Sequence, residues 1–193
     1  MKAVIFLGNP GNDYRRTRHN AAWMAAEKVD LLSGVSWQTK FKGSYGQVDA
    51  GGRRIHVLFP HTFMNKSGES VRPLIDFFKL DPADLLLVHD DLELPFGVVG
   101  CKAGGGLGGH NGLRSVAQLL GTRNFFRFRI GISRPAHGSV SSYVLGRFSA
   151  DEEPYLDTVL QKAAVMLADI VKSPELCARR GRQQLLDNFT APD

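Results

Sequence analysis

Short apolar runs alternate with segments of helical period along this chain, and that alternation points to an α/β architecture. Lys2–Leu7, Arg53–Phe59, Leu85–His89, Val98–Ala103 and Phe125–Ser133 read as strands. Asn20–Leu32 carries Ala22, Ala26, Val29 and Leu32 at helical spacing, and Ser67–Leu80 carries Val71, Leu74, Phe77 and Phe78. Asn111–Leu120 is a further predicted helix, and Asp151–Val171 and Pro174–Asn188 are two more. In the first of these two, Leu156, Val159, Leu160, Ala163, Leu167 and Ile170 form one stripe. Tyr45–Ala50 and Arg53–Phe59 flank Gly51-Gly52, which fits a hairpin. A hairpin beside strand–helix–strand units implies a mixed sheet. The 193 residues contain no internal repeat and no long linker, so one domain is expected. Pro135–Phe148, with Gly138, Ser139, Ser141 and Ser142 and no periodicity, reads as a mobile surface loop or lid.

Composition narrows the function classes. Charged residues are 22% and hydrophobic ones 43%, as in a globular chain rather than a disordered one. The formal net charge of +5 favours a polyanionic partner. Two cysteines, Cys101 and Cys177, exclude a disulfide scaffold and a Cys-rich zinc module, so reduced thiols are expected. The first apolar stretch is too short for a signal peptide, and no run approaches the roughly 18–20 residues of a membrane span. A cytoplasmic protein is the expectation.

Four polar clusters are left over once the core is assigned. Gly8-Asn9-Pro10-Gly11-Asn12-Asp13-Tyr14, running to Thr17-Arg18-His19-Asn20, leaves the first strand and enters a helix. Ligands of open α/β sheets bind at such carboxyl ends of strands, although turn and cap roles account for the same residues. A histidine at a helix start is expected to be held neutral, as a base, by the helix dipole. Pro60-His61-Thr62-Phe63-Met64-Asn65-Lys66-Ser67-Gly68 repeats the arrangement and places the Asn65 amide at the same edge as Asn9, with Met64 in the core or in the site. In His89-Asp90-Asp91-Leu92-Glu93, neighbouring strand residues face opposite ways, so at most one of Asp90 and Asp91 meets a cleft. That acid suits the orienting of a histidine. Gly104-Gly105-Gly106-Leu107-Gly108-Gly109-His110-Asn111-Gly112 has six glycines in nine residues, which permit close backbone approach.

Several chemistries lack their signatures. The glycine cluster is not followed by Gly-Lys-Ser/Thr and keeps no dinucleotide frame. No G-x-S-x-G elbow occurs, and the six histidines are not paired at metal-binding spacing. Phe126-Arg127-Phe128-Arg129-Ile130 alternates, placing Arg127 and Arg129 on one face near Lys102 as a credible phosphate clamp. Arg179, Arg180 and Arg182 make a second basic patch or a solvated helix face.

Taken in order and spacing, LGNPGNDYRRTRHN (residues 7–20), PHTFMNKSG (60–68), HDDLELPFG (89–97), KAGGGLGGHNGLRS (102–115) and FRFRIGISRP (126–135) closely resemble the bacterial-type peptidyl-tRNA hydrolases over nearly the whole chain. The resemblance implies a single α/β domain, with a central mixed, twisted sheet flanked by helices on both sides. It also implies a monomer without cofactor or metal, and hydrolysis of the ester between peptide and tRNA. It assigns His19 as general base, Asp90 as its partner and Asn9 to the ester region. Asn65, Met64, His110, Asn111 and Asn20 fall to the peptide and water, and Tyr14, Lys102 and Arg129 to the tRNA acceptor stem and 3′ end, the last two clamping the 5′-phosphate. Ala22, Phe96, Lys66 and Gly100 depart from the family pattern. Of these only Gly100, in place of a basic residue, touches an assigned role. A non-catalytic RNA-binding protein on the same scaffold, or a hydrolase of another small ester or amide, is the alternative expectation.

Overall fold

The computed structural model describes residues 1–186. Its centre is an eight-stranded sheet in the order β2-β3-β4-β1-β5-β7-β6-β8. The strands are β1 (Ala3–Phe6), β2 (Gln38–Lys40), β3 (Gly43–Ala50), β4 (Arg53–Pro60), β5 (Leu85–Asp91), β6 (Val98–Ala103), β7 (Phe126–Gly131) and β8 (Arg182–Gln184). Four central strands, β4, β1, β5 and β7, run parallel, and the outer pairings are antiparallel, so the sheet is mixed as expected. The helices are α1 (Ala21–Ala26), α2 (Gly68–Phe78), α3 (Asn111–Leu120), α4 (Val140–Val144), α5 (Glu153–Lys172) and α6 (Glu175–Arg180).

Strand alternation builds two cores, one on each face. Val4 and Phe6 of β1, with Leu86 and Val88 of β5, pack against α1 and α5. Ala3 and Ile5, with Leu85 and Leu87, pack against Val71 and Leu74 of α2 and Leu113 and Val116 of α3. Burying each such Leu, Ile or Phe contributes about 1.5–3 kcal/mol before entropy is counted, so the central strands are fixed from both sides. β1 has β4 on one side and β5 on the other, both parallel to it. The loops after all three strands therefore emerge along one edge of the sheet, where α/β folds open a ligand crevice.

The structure differs from the sequence reading in several places. The predicted helix over 20–32 is only α1 followed by a separate turn at Asp30–Leu32, because Val29 takes an extended conformation. Ala22, Ala26 and Val29 are buried all the same, so their spacing reported burial rather than one continuous helix. In α2 the inward residues are Val71, Leu74 and Ile75, whereas Phe77 is 61% exposed, with the Lys40 ammonium 3.8 Å over its ring. The last predicted helix ends at Gly181, whose φ of 55° turns the chain into β8 against β6; Asn188 lies outside the described residues. Within the predicted loop 135–148 the chain forms the short helix α4. Lastly, Cys101 of β6 and Cys177 of α6 are paired in a disulfide with Cα atoms 5.1 Å apart, not held as free thiols. That pairing depends on α6 docking against the β6 edge, which no spacing over 76 residues reveals. No helix among the described residues is long and apolar enough to cross a membrane.

Candidate active site

The loops after β1, β4 and β5, the glycine-rich loop and α4 enclose a cleft of about 800 Å³. Asn9, Tyr14, His19, Met64, Asn65, Asp90, His110 and Asn111 all line it. Three of the singled-out residues do not. Asn20 is buried behind the wall, and Lys102 and Arg129 lie outside the cleft on β6 and β7.

Asp90 organises the centre. β5 persists through Asp91, so the two acids separate as alternation requires. Asp90 is 1% exposed; Asp91 forms an ion pair with Arg129, its Oδ2 accepting from Nε at 2.6 Å, and its Oδ1 accepts from the Glu93 N–H at 2.8 Å. Both Asp90 oxygens lie 2.9 Å from His19 Nδ1, and Oδ1 also lies 3.0 Å from His110 Nε2. Burial pushes the Asp90 carboxyl up, but the two histidines overcome it and hold the group far below the usual carboxylate range. An ionised carboxylate only accepts, so each histidine must present an N–H to it.

Backbone geometry fixes the remaining protons. His110 caps α3: its Nδ1 accepts from the N–H groups of Gly112 at 3.1 Å and Leu113 at 3.3 Å. Backbone N–H groups cannot accept, so His110 Nδ1 is bare and Nε2 carries the hydrogen bonded to Asp90. Gly112 makes this approach possible, since a Cβ there would stand 2.5 Å from Met64 Sδ and 3.1 Å from His110 Cε1. His19 in turn donates from Nδ1, which leaves its Nε2 as a lone pair without a hydrogen-bond partner among the described residues. Burial of that imidazole disfavours its protonation, yet the charge and hydrogen bond of Asp90 prevail and the net shift is upward from 6.5. The helix-dipole expectation of a downward shift is thus overturned. His19 sits in a turn ahead of the six-residue α1, and a carboxylate at 2.9 Å outweighs so short a helix.

Asn9 is held from two sides. Its Oδ1 accepts from the Met64 N–H at 2.8 Å, so the amide orientation is unambiguous and its two donors on Nδ2 have no other partner among the described residues. Asn20 grips its backbone reciprocally: Asn20 Oδ1 accepts from Asn9 N–H at 2.8 Å and Asn20 Nδ2 donates to Asn9 O at 2.9 Å. Asn20 therefore positions Asn9 rather than meeting the cleft. Asn65 and Asn111 are exposed at the mouth. Tyr14 packs edge-on to Phe63, which is 55% exposed on the same wall.

His19, Asp90 and His110 are also a cluster able to meet a metal ion, their ligand atoms lying within 4.8 Å of one another. The cap argues against it, since freeing a lone pair on His110 Nε2 would put a proton on Nδ1 against two N–H donors. The arrangement suits proton handling.

The basic face resolves differently from the sequence reading. Arg127, 2% exposed, donates from Nη1 to Gly106 O at 2.7 Å and from Nη2 to Gly104 O. Its guanidinium is spent holding the glycine-rich loop, where Gly104, Gly105, Gly108 and Gly109 all take positive φ, and it is not free to clamp a phosphate. Lys102 faces outward beside it. Two buried residues at or beside the cleft escaped sequence reasoning. His89 lines the cleft and is buried, its Nδ1 donating to Asp90 O at 2.6 Å; burial first, then the neighbouring His110, pushes it down to about 3. Its place in a run of polar residues was a signal, but strand alternation gave it no partner. Arg18 is the other, buried in an ion pair with Glu152.

A family model described as peptidyl-tRNA hydrolase matches residues 3–184. A peptidyl-tRNA hydrolase of Geotalea daltonii is 43% identical over 194 residues, covering 100% of this chain and 98% of the relative. That of Listeria welshimeri is 41% identical over 175 residues, covering 90% of this chain and 95% of its own. The crystal structure of peptidyl-tRNA hydrolase from Acinetobacter baumannii superposes with a TM-score of 0.81 at 35% identity, covering 91% of this chain and 90% of that one.

Proposed function

Since the chain belongs to the peptidyl-tRNA hydrolase family, we propose that it hydrolyses the ester joining a peptide to tRNA, with His19 as general base. The observation that carries this reading is the ionised Asp90 between two N–H groups, which leaves the free lone pair of the base on His19 Nε2. Nε2 takes a proton from water, whose oxygen bonds to the ester carbonyl carbon. The tetrahedral oxyanion is met by donors such as the Asn9 amide, and collapse expels the ribose oxygen, which recovers the proton from imidazolium. Asp90 steadies that imidazolium, and no covalent acyl-enzyme forms.

Met64, Asn65, His110 and Asn111 line the path of the peptide and the attacking water, with Asn20 acting through Asn9. Tyr14, Lys102 and Arg129 face the acceptor stem and 3′ end. With Arg127 spent on the glycine-rich loop, Arg129 in an ion pair with Asp91 and Gly100 offering no side chain, Lys102 supplies most of the phosphate contact. We place the enzyme in the cytoplasm as a monomer recycling tRNA from abandoned translation, with residues 135–148 covering one side of the cleft through α4. Incubation with N-blocked and unblocked aminoacyl-tRNA tests the reading. Efficient cleavage of the blocked form alone is expected; failure to cut it rejects the activity, and equal cleavage of both rejects the substrate class.

A further inference from the structure

The residue before the base is tied to the opposite wall of the cleft. Arg18 is 6% exposed, and its side chain runs away from Asp90 toward residues 143–152. Nη2 donates to Glu152 Oε2 at 2.6 Å, an ion pair with both side chains 8% exposed, and Nη1 donates to Arg147 O. The guanidinium carbon stands 4.1 Å from the Tyr143 ring centroid and 5.2 Å from that of Phe148. The Arg18 N–H donates to Gly146 O at 2.9 Å, and Thr17 bridges to Arg147. Glu152 is itself fixed, its Oε2 accepting from Ser149 N–H at 2.7 Å at the entry to α5. The segment gripped in this way carries Val140, Val144 and Leu145 into the cleft wall, two of them 43% exposed. A buried guanidinium with a planar fork and two aromatic neighbours is a directional fastener that lysine cannot imitate.

We propose that Arg18 is a positioning residue which, through Glu152 and Tyr143, sets the apolar α4 wall at a fixed distance from His19, so that the cleft is shaped in advance for the acyl chain of its substrate. This rests on the peptidyl-tRNA reading for the identity of that chain, but not for the fastening itself. Because the wall meets the acyl chain and not the ester, releasing it raises the cost of binding a long chain more than a short one. The wall side chains must then be ordered by the ligand instead of by the fold.

The test compares wild type with Arg18→Met, Arg18→Lys and Glu152→Gln, the last keeping volume in case the arginine variants fail to fold. Two readouts are taken: amide exchange over 139–149, and affinity for amide-linked, uncleavable tRNA conjugates bearing either a tripeptide or a single acetylated residue. Faster exchange confined to 139–149 is expected, with the tripeptide conjugate weakened roughly three- to tenfold and the short one less than twofold, the size of one or two side chains losing pre-organisation. Arg18→Lys should resemble Arg18→Met. Unchanged exchange, or equal weakening of both conjugates, overturns the proposal. Affinity is read without turnover, so a wild-type protein that failed to cleave the ester would remove the activity and leave this inference to its own outcome.

Discussion

Replacing Asp90 by asparagine separates the two things its carboxylate does for His19. The present group accepts from His19 Nδ1 at 2.9 Å and from His110 Nε2 at 3.0 Å, buried and ionised. An amide keeps one acceptor oxygen, and Oδ1 is the atom both histidines already share. Its NH2 group then falls where Oδ2 now stands, 2.9 Å from the Nδ1–H of His19, a donor facing a donor. The imidazole either turns away or takes the other tautomer, which puts the proton on Nε2 and removes the base. What is lost is a hydrogen bond to a charged group, about 1.5–3 kcal/mol, or roughly 10- to 150-fold in turnover at about 1.4 kcal/mol per decade. The pH profile carries the second half of the argument. Burial lowers the His19 pKa while Asp90 raises it, and Asp90 wins. With the charge gone, only burial remains, so the acid limb of kcat must move to lower pH even as the plateau falls. Single-turnover rates across pH 5–8, with wild type and variant on one N-blocked aminoacyl-tRNA, measure both. An undiminished plateau, or an acid limb that moves upward, refutes the reasoning.

Four other outcomes follow from the same geometry. His19→Ala should lose roughly 10²–10⁴-fold in turnover while retaining tRNA affinity in a filter-binding assay; near-normal single-turnover cleavage would remove it as base. Lys102→Ala should weaken binding and reduce the salt slope by about 1, as the loss of one phosphate contact does, and an unaltered slope would count against that contact. Asn20→Ala removes two buried hydrogen bonds to the Asn9 backbone and should cost about 1–3 kcal/mol of stability in urea denaturation, with turnover falling further than tRNA affinity. Finally, the Cys101–Cys177 bridge spans 76 residues, so Cys177→Ser should cost about 4.5 kcal/mol by loop entropy; equal stability of the two proteins under oxidising conditions would argue that the bridge contributes nothing.

The sequence and the structure agree where one signal dominated. The central strands β1 and β5 are continuous apolar runs between two helical layers and lie within two residues of their predicted bounds, and β6 and α3 match theirs. Agreement fails where tertiary contact overrides local pattern. Val29 buries itself through a turn, α6 gives way at Gly181 to a strand whose existence depends on β6, and Phe77 exchanges its inward place for a lysine at the rim. For the site, the loops converge because β4, β1 and β5 are parallel neighbours, and the motif residues lie at their ends. Partnership was less legible. Alternation said that Asp90 and Asp91 must part, but not which would meet a histidine and which an arginine. Arg127 looked equivalent to Arg129 on its strand. Only the positions of the Gly104 and Gly106 carbonyls commit it to the loop.

His110 belongs at once to the first turn of α3 and to the carboxylate that steadies the base. Its Nδ1 accepts from two backbone amides while its Nε2–H serves Asp90, so one ring holds both contacts. Loss of this one side chain therefore strikes the molecule twice, taking a donor from the Asp90 carboxylate and unseating the start of a helix whose opposite side packs on the sheet. In this fold the posture of the base and the first turn of α3 hang on one imidazole. A redesign of the site that replaces this ring would have to supply a new acceptor for the Gly112 and Leu113 amides as well as a new donor for Asp90.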